Sequence, residues 1–566
     1  MSQGLPIGYE DFKEIIEHDL YYVDKTLMIK RLIDRHGKVN LFTRPRRFGK
    51  TLNLSMLKYF FERQTDEKGD RSDSSYLFRK LKIAGCGGQY MTFQGKYPVI
   101  NLSLKSARQP DFEMAYKSLV DEIAKEFDRH AALLDSGRLD EGEKERFLLI
   151  MRRKAEKIDY AKSLDFLSAC LAKHYKENVI ILIDEYDVPL ENAYFEGFYR
   201  EMTTFIRSLF ESALKTNSNL EFGVITGCLR ISKESIFTGL NNLDIYSIIN
   251  PWYAEDFGFT EDEIRKLLQD YGFTDKFSEV KSWYDGYLFG DREIYNPWSI
   301  INYIQTALGD RNSYPRPYWS NTSSNSIVRE LVEGADLETR REIEELIAGR
   351  DIEKPVHEDI TYEDIHESKE NLWNFLYFTG YLRKLEEFQK DEVIYLRLTI
   401  PNVEIRSIYK KTILSWFNRR IKKADVAELI LALEKGDGES AGSFLSKQLM
   451  ETISFYDYAE NYYHGFLAGL LKCQDKYEIL SNRESGLGRP DIAMREMKFR
   501  GMAIILELKT AEKFEDMERL CGEALEQIGK QQYEKAFWAE GCCSVKKYLT
   551  TPKGIWYSKP TYRLEL

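Results

Sequence analysis

The sequence predicts a multidomain α/β chain, and three stretches carry that prediction. The apolar run Val39-Asn40-Leu41-Phe42-Thr43 enters a loop ending Gly49-Lys50-Thr51, and a helical pattern follows. The run Val179-Ile180-Ile181-Leu182-Ile183 ends in Asp184-Glu185. Near the end of the chain, short strand-like runs carry Pro490-Asp491 and Glu507-Leu508-Lys509. At 566 residues the chain exceeds one hydrophobic core, and roughly three to four domains follow from length alone.

Composition sets further bounds. Hydrophobic residues at 43% and charged residues at 31% are those of an ordinary folded protein. A net charge of −11 argues against general coating of a polyanion. Charge is nevertheless local: ten Lys and Arg (25, 30, 31, 35, 38, 44, 46, 47, 50 and 58) meet one acid, Asp34, between Lys25 and Lys58. Seven cysteines without a C-x-x-C pair read as reduced thiols of a cytoplasmic protein. The first residues show neither a basic nor an apolar signal segment, and no apolar run reaches the roughly 18 residues that span a bilayer, so no membrane partner is expected.

In chain order, Phe12, Ile15 and Ile16 mark a short helix, and Leu27 to Ile33 is again helical, giving an N-terminal cover that could touch a nucleotide base. The loop Arg44-Pro45-Arg46-Arg47-Phe48-Gly49-Lys50-Thr51 fits G-x-x-x-x-G-K-[ST] everywhere but its first position, where Arg44 replaces glycine. Lys50 is expected to reach the β- and γ-phosphates of ATP, Thr51 to ligand Mg²⁺, and the backbone N–H groups around Leu52 to cradle phosphate. Arg44, Arg46 and Arg47 are candidates for phosphate, a neighbouring subunit in a homo-oligomer, or nucleic acid. Tyr97 to Leu104 predicts a second strand, followed by about 70 helical residues.

The apolar run at 179–183 reads as a strand buried on both faces of a parallel sheet, and acids at its C-terminal end lie where such sheets hold ligands. Asp184 is the candidate Mg²⁺ ligand and Glu185 the group that polarises water. A further strand, Leu220 to Gly227, ends near Thr226 and Arg230, candidate sensors of the γ-phosphate. Beyond residue 250 the pattern is helical, with a capping box at Thr260-Glu261-Asp262-Glu263 and aromatic turns at 283–287 and 295–298. Residues 331–445 read as a mostly helical connecting region with a strand-like run from Val393 to Leu398, and Gly436 to Ser440 as its linker signal.

The last segment holds a second constellation. Glu507 and Lys509, two apart on one strand, share a face, beside Asp491 on the presumed neighbour. Two converging carboxylates repel unless a cation lies between them, and hard oxygen ligands select Mg²⁺ or Mn²⁺. Glu460 and Gln527 lie on flanking helical patterns, Gln527 being placed to position water or substrate. From Arg483 to Lys513 seven basic residues meet five acids, a mild excess suited to a nucleic-acid partner, with DNA the expected form.

These motifs, together with Leu5-Pro6-Ile7-Gly8, Tyr22-Val23-Asp24-Lys25-Thr26, Gly239-Leu240-Asn241-Asn242, Tyr462-Tyr463-His464-Gly465-Phe466 and Ser481-Asn482-Arg483-Glu484-Ser485-Gly486, resemble the bacterial AAA-ATPase-like family whose members end in a PD-(D/E)xK nuclease domain. The resemblance implies an ASCE-type P-loop ATPase core over 1–250, a helical lid over 251–330, the connecting region over 331–445, and a restriction-endonuclease-like αβββαβ domain over 446–566. It also implies that Arg44 is a family trait of the loop. Asp491, Glu507 and Lys509 match its nuclease triad, with Glu460 and Gln527 as accessory positions. The function expected is ATP binding and hydrolysis coupled to metal-dependent cleavage of nucleic acid. The alternatives are a nucleotide-dependent switch whose nuclease-like domain binds without cutting, and a phosphotransferase.

Overall fold

The computed structural model describes residues 3–63, 73–229, 236–237, 241–319, 336–357, 369–410, 423–452, 460–472, 474, 476–481, 490–498, 500–508, 533–551, 554–557 and 561–562. The chain forms two compact units, one comprising Met1–Ser324 with Gly349–Ile408, the other Asn325–Ala348 with Tyr409–Leu566.

The first unit is built on a five-stranded sheet from β1 (Val39–Thr43), β2 (Val99–Ser103), β3 (Val179–Asp184), β4 (Leu220–Gly227) and β5 (Leu243–Tyr246). Their order is β2-β3-β4-β1-β5, and every pairing is parallel. β1 and β3 are buried along their whole length, as two-sided helix cover requires. The expected helical stretch after β2 consists of Phe112–Arg129, Glu141–Met151, Lys157–Ala161 and Ser163–Tyr175. Because all strands run one way, Thr43, Ser103, Asp184 and Gly227 meet at a single edge.

Residues 254–309 fold as helices Glu261–Asp270, Phe277–Tyr284 and Pro297–Gly309 around a short hairpin, β6 (Tyr287–Phe289) with β7 (Arg292–Ile294). The capping box forms: Thr260 N–H donates to Glu263 at 2.8 Å, and Glu263 N–H to Thr260 Oγ1 at 3.4 Å. Asn296 caps the next helix through Trp298 and Ser299 N–H, with Pro297 at its first position, which fixes where Trp298 stands. The aromatic core here, including Tyr284, Tyr295 and Tyr303, also takes Leu5, Tyr21 and Val23 from the N-terminal segment. Lys25 completes the junction, donating to both Glu263 oxygens at 2.8 and 2.6 Å.

The region 331–445 departs from the expected helical connector. Residues 349–408 belong to the first unit and contain an antiparallel sheet, order β8-β10-β9, from β8 (Ile352–Pro355), β9 (Arg383–Lys390) and β10 (Val393–Thr399). β9 carries five charged side chains among its eight residues, which hid it. Its turn, Asp391-Glu392, takes positive φ at both positions (46° and 71°) without a glycine to mark it. Gly436 to Ser440 is also no linker. Gly436 (φ 83°) ends helix Lys423–Lys435, and Asp437 accepts Ser440 N–H at 3.0 Å to start helix Gly438–Thr452.

A buried carboxyl braces the first unit. Glu404 is fully buried and accepts Ser299 Oγ at 2.8 Å and Trp319 N–H at 2.9 Å. Burial pushes its carboxyl up to about 7. The folded value thus lies above the unfolded one, so this contribution to stability is present below about pH 4.5 and is lost as pH rises through 7. Glu404→Gln is expected to flatten the fall in thermal stability between pH 5 and 8, and to gain about 3 kcal/mol at pH 8. Melting curves of both proteins across that range check it, and parallel pH profiles would refute it.

The second unit holds a sheet in the order β11-β12-β13-β14-β15, from β11 (Tyr477–Ser481), β12 (Ile492–Glu496), β13 (Met502–Leu508), β14 (Ser544–Thr551) and β15 (Gly554–Tyr557), with β16 (Thr561–Tyr562) also on β14. β11, β12 and β13 are antiparallel neighbours, whereas β13 and β14 are parallel.

Candidate active sites

Gly49 stands at φ 85°, a backbone that favours glycine, and helix Lys50–Phe61 begins at the next residue. The helix N-terminus therefore points into the edge where the parallel strands end. A cavity of about 430 Å³ opens there, a volume suited to a small ligand. Arg46, Arg47, Gly49, Lys50, Thr51 and Leu52 line it, as does Glu185. Its remaining wall is largely apolar, with Tyr9, Val23, Phe259, Trp298 and Ile301.

Lys50 is 6% exposed and donates to the Arg44 and Pro45 carbonyls, each at 2.9 Å. Thr51 Oγ1 donates to Asp184 Oδ2 at 2.6 Å, and the Thr226 hydroxyl donates to Asp184 Oδ1. Three elements thereby converge on one carboxylate. Thr226 also accepts Glu185 N–H at 3.4 Å. Glu185 has φ 51°, uncommon for a side chain of this size, which sets it beyond the end of β3. Burial and the adjacent Asp184 raise its carboxyl above the usual range, making it a stronger base than an ordinary carboxylate. The Thr51 hydroxyl and Asp184 carboxylate are a donor set that fits a hard divalent cation.

Arg44 corrects an expectation. It is not a phosphate contact. Its side chain is fully buried, and the guanidinium donates to the carbonyls of Thr43 (2.9 Å) and Tyr246 (2.6 Å), with Trp252 and Tyr253 carbonyls at 3.4 and 3.5 Å. Phe257 and Phe289 lie 5.2 and 5.0 Å from it. The dry surroundings lower its pKa to about 9. Arg44 ties the loop to the segment after β5. Phe48 is likewise buried, wedged against Tyr287 and Phe289 at 4.9 and 5.3 Å. Arg47 reaches across the cavity to Trp298, 4.5 Å from the ring centre. Arg230 lies outside the described residues.

Sequence reasoning missed other groups at this edge. Asp187 accepts Cys228 and Leu229 N–H at 2.7 and 3.2 Å, holding the chain beyond β4. Glu191, 3% exposed, pairs with Arg46 and with Arg108. The only sequence signal for Asp187 was a third acid in Asp184-Glu185-Tyr186-Asp187. No spacing announces the Arg108 partner.

In the second unit, Asp491 precedes β12. Ile492 faces Leu506, and the same register continued by one residue sets Asp491 opposite Glu507. Asp491 Oδ2 accepts Leu508 N–H at 2.8 Å, and Glu507 is 2% exposed. His464, on helix Glu460–Leu471, has Nε2 2.9 Å from the Asp491 carbonyl, which requires the proton on Nε2. Asp491 and Glu507 are hard oxygen donors, a set that fits Mg²⁺ or Mn²⁺. Among the described residues no group of three or more His, Cys, Asp and Glu gathers to hold a metal. Glu460 opens that helix; Lys509 and Gln527 lie outside the described residues.

The first unit is thus an α/β domain with a loop of phosphate-binding geometry at the C-terminal edge of its parallel sheet. The chain carries a predicted AAA-ATPase region, residues 6–237, and a PD-(D/E)XK nuclease superfamily region, residues 458–554, each matched by its family model. A protein of Azotobacter chroococcum mcd 1 described as "Uncharacterized protein in vnfD 5'region" is 28% identical over 331 residues, covering 58% of this chain and 56% of its own. The chain thus spans little more than half the length of that relative. No solved structure matches. Among the described residues no helix is long and apolar enough to cross a membrane.

Proposed function

We propose that the first unit is an ATPase of the ASCE type, and that the second is a metal-dependent nuclease whose cleavage of nucleic acid, DNA foremost, depends on the nucleotide state. The observation that carries the ATPase reading is the convergence of Thr51, Asp184 and Thr226 beside Lys50 and Glu185. The strand order supports the ASCE assignment, because β4 separates the loop-bearing β1 from β3. Lys50 exchanges the Arg44 and Pro45 carbonyls for phosphate oxygens. Glu185 takes the proton of the attacking water. Bound Mg²⁺ supplies charge neutralisation of the β- and γ-phosphates, and Thr51 and Asp184 would hold it. In the nuclease region Asp491 and Glu507 would hold Mg²⁺ or Mn²⁺, whose role is to activate water and stabilise the pentavalent phosphate. Lys509 is proposed to neutralise charge, and Glu460 and Gln527 to assist. Arg230 retains its proposed sensor role. Free thiols at Cys86, Cys170, Cys228, Cys542 and Cys543 support a cytoplasmic setting.

The test measures ATP turnover and plasmid, single-strand and RNA cleavage by the full chain, with and without ATP and Mg²⁺. Glu185→Gln is expected to bind ATP yet lose turnover by about 100-fold or more, since the general base is gone. Unchanged turnover would refute the role of Glu185. Turnover without any cleavage would support the switch that binds without cutting. Transfer of phosphate to an acceptor would support the phosphotransferase.

A further inference from the structure

The cavity wall carries six cations, Lys25, Arg46, Arg47, Lys50, Lys105 and Arg108, against three acids, Glu10, Glu185 and Asp256. Several are already committed. Lys25 belongs to Glu263, Asp256 to Arg31, and Arg47 to the Trp298 face. Arg46 and Arg108 are different. They come from separate loops, one before helix Lys50–Phe61 and one after β2, and both end on the Glu191 carboxylate. That carboxylate is buried, and burial holds its pKa above the usual range even with two arginines beside it. Both guanidinium groups nevertheless line the cavity, and their side chains are 25% and 45% exposed.

The position relative to the catalytic groups is also fixed. Cys228 lies 3.6 Å from Lys50 and feels the charges of Arg46 and Glu185 as well. Glu185 in turn feels Lys50 and Lys105. Arg46 therefore lies at the end of the cavity where Lys50 and Glu185 stand, and Arg108, also on the cavity wall, meets it at Glu191. A carboxylate oxygen that gathers two guanidinium groups offers them what a phosphate oxygen offers, a negatively charged acceptor.

We propose that Arg46 and Arg108 form a paired subsite for the terminal phosphate of a nucleoside triphosphate, and that Glu191 is the internal anion that holds the pair in register while that phosphate is absent. The inference rests on the nucleotide reading of this cavity and adds to it a device that tells triphosphate from diphosphate. A third phosphate brings more charge than one carboxylate, so it draws both forks from Glu191 and joins the two loops through the ligand. A diphosphate has no group at that place and leaves the Glu191 bridge closed.

The experiment measures binding of ADP and of β,γ-imido-ATP to the full chain with Mg²⁺. Loss of a charge-assisted fork predicts that a wild-type preference for the triphosphate of about tenfold or more falls below about threefold in Arg108→Gln, with ADP affinity within about twofold of wild type. Arg108→Lys, which keeps the charge but not the fork, is expected to recover part of the preference. Glu191→Gln removes the competing charge and is expected to tighten β,γ-imido-ATP by at least about twofold without changing ADP. An unchanged ratio in Arg108→Gln, equal weakening of both nucleotides, or weaker triphosphate binding by Glu191→Gln would each overturn the proposal. Wild-type protein that binds neither nucleotide would instead overturn the nucleotide reading itself.

Discussion

Lys50→Ala is expected to weaken ATP binding by about 100-fold or more and to abolish turnover. Lys50 is the most buried cation of the cavity wall for which the loop itself supplies a waiting position: two carbonyls, Arg44 and Pro45, each 2.9 Å from its ammonium. Those carbonyls are weak partners compared with phosphate oxygens, so exchange favours the ligand, and the strength of that exchange is what alanine removes. The loop keeps its shape in the variant, because Arg44 and Gly49 hold it at either end. The melting temperature of the unliganded protein is therefore expected to shift little. Calorimetric titration with ATP checks the affinity. Binding within about threefold of wild type would contradict the assignment of Lys50. If the same variant cuts nucleic acid as wild type does, with and without ATP, dependence of cleavage on nucleotide state is refuted as well.

Asp491→Asn is expected to lower metal-dependent cleavage by about 100-fold or more, through loss of one of two anionic oxygen donors. Asparagine retains an oxygen that accepts Leu508 N–H, so the link between the start of β12 and the end of β13 survives. What is lost is charge. The substitution therefore separates metal chemistry from folding, which alanine would not do. Titration with Mn²⁺ should show at least about tenfold weaker binding in the variant, and an unchanged cleavage rate would remove Asp491 from the site.

The elements most legible in the sequence were those where burial leaves a continuous apolar run. β1, β3 and β13 are nearly fully buried and were readable, β1 with the Gly49-Lys50-Thr51 loop that follows it and β3 and β13 with the acids at their ends. β9 was not readable. Its charges serve cross-strand pairs, such as Arg397 with Glu386, and its turn uses no glycine. The two-unit division was also hidden, since residues 349–408 return to the first unit after residues 325–348 have joined the second. The chemistry of Arg44 was visible as a departure from pattern, but its direction was not. Three of the four carbonyls that receive it come from Tyr246, Trp252 and Tyr253, about 200 positions downstream, and no local spacing encodes such a meeting. The Glu191 bridge was missed for the same reason.

The strand order carries a consequence for synthesis on the ribosome. β1 leaves it early yet lies between β4 and β5, which emerge roughly 200 residues later. Until Leu220–Gly227 has appeared β1 lacks both neighbours, and until Tyr246 and Tyr253 have appeared Arg44 has only the adjacent Thr43 carbonyl among its acceptors. β2 and β3 pair with each other before then. A nascent chain halted before residue 220 therefore holds the whole Gly49-Lys50-Thr51 sequence without either strand that flanks β1 in the finished sheet.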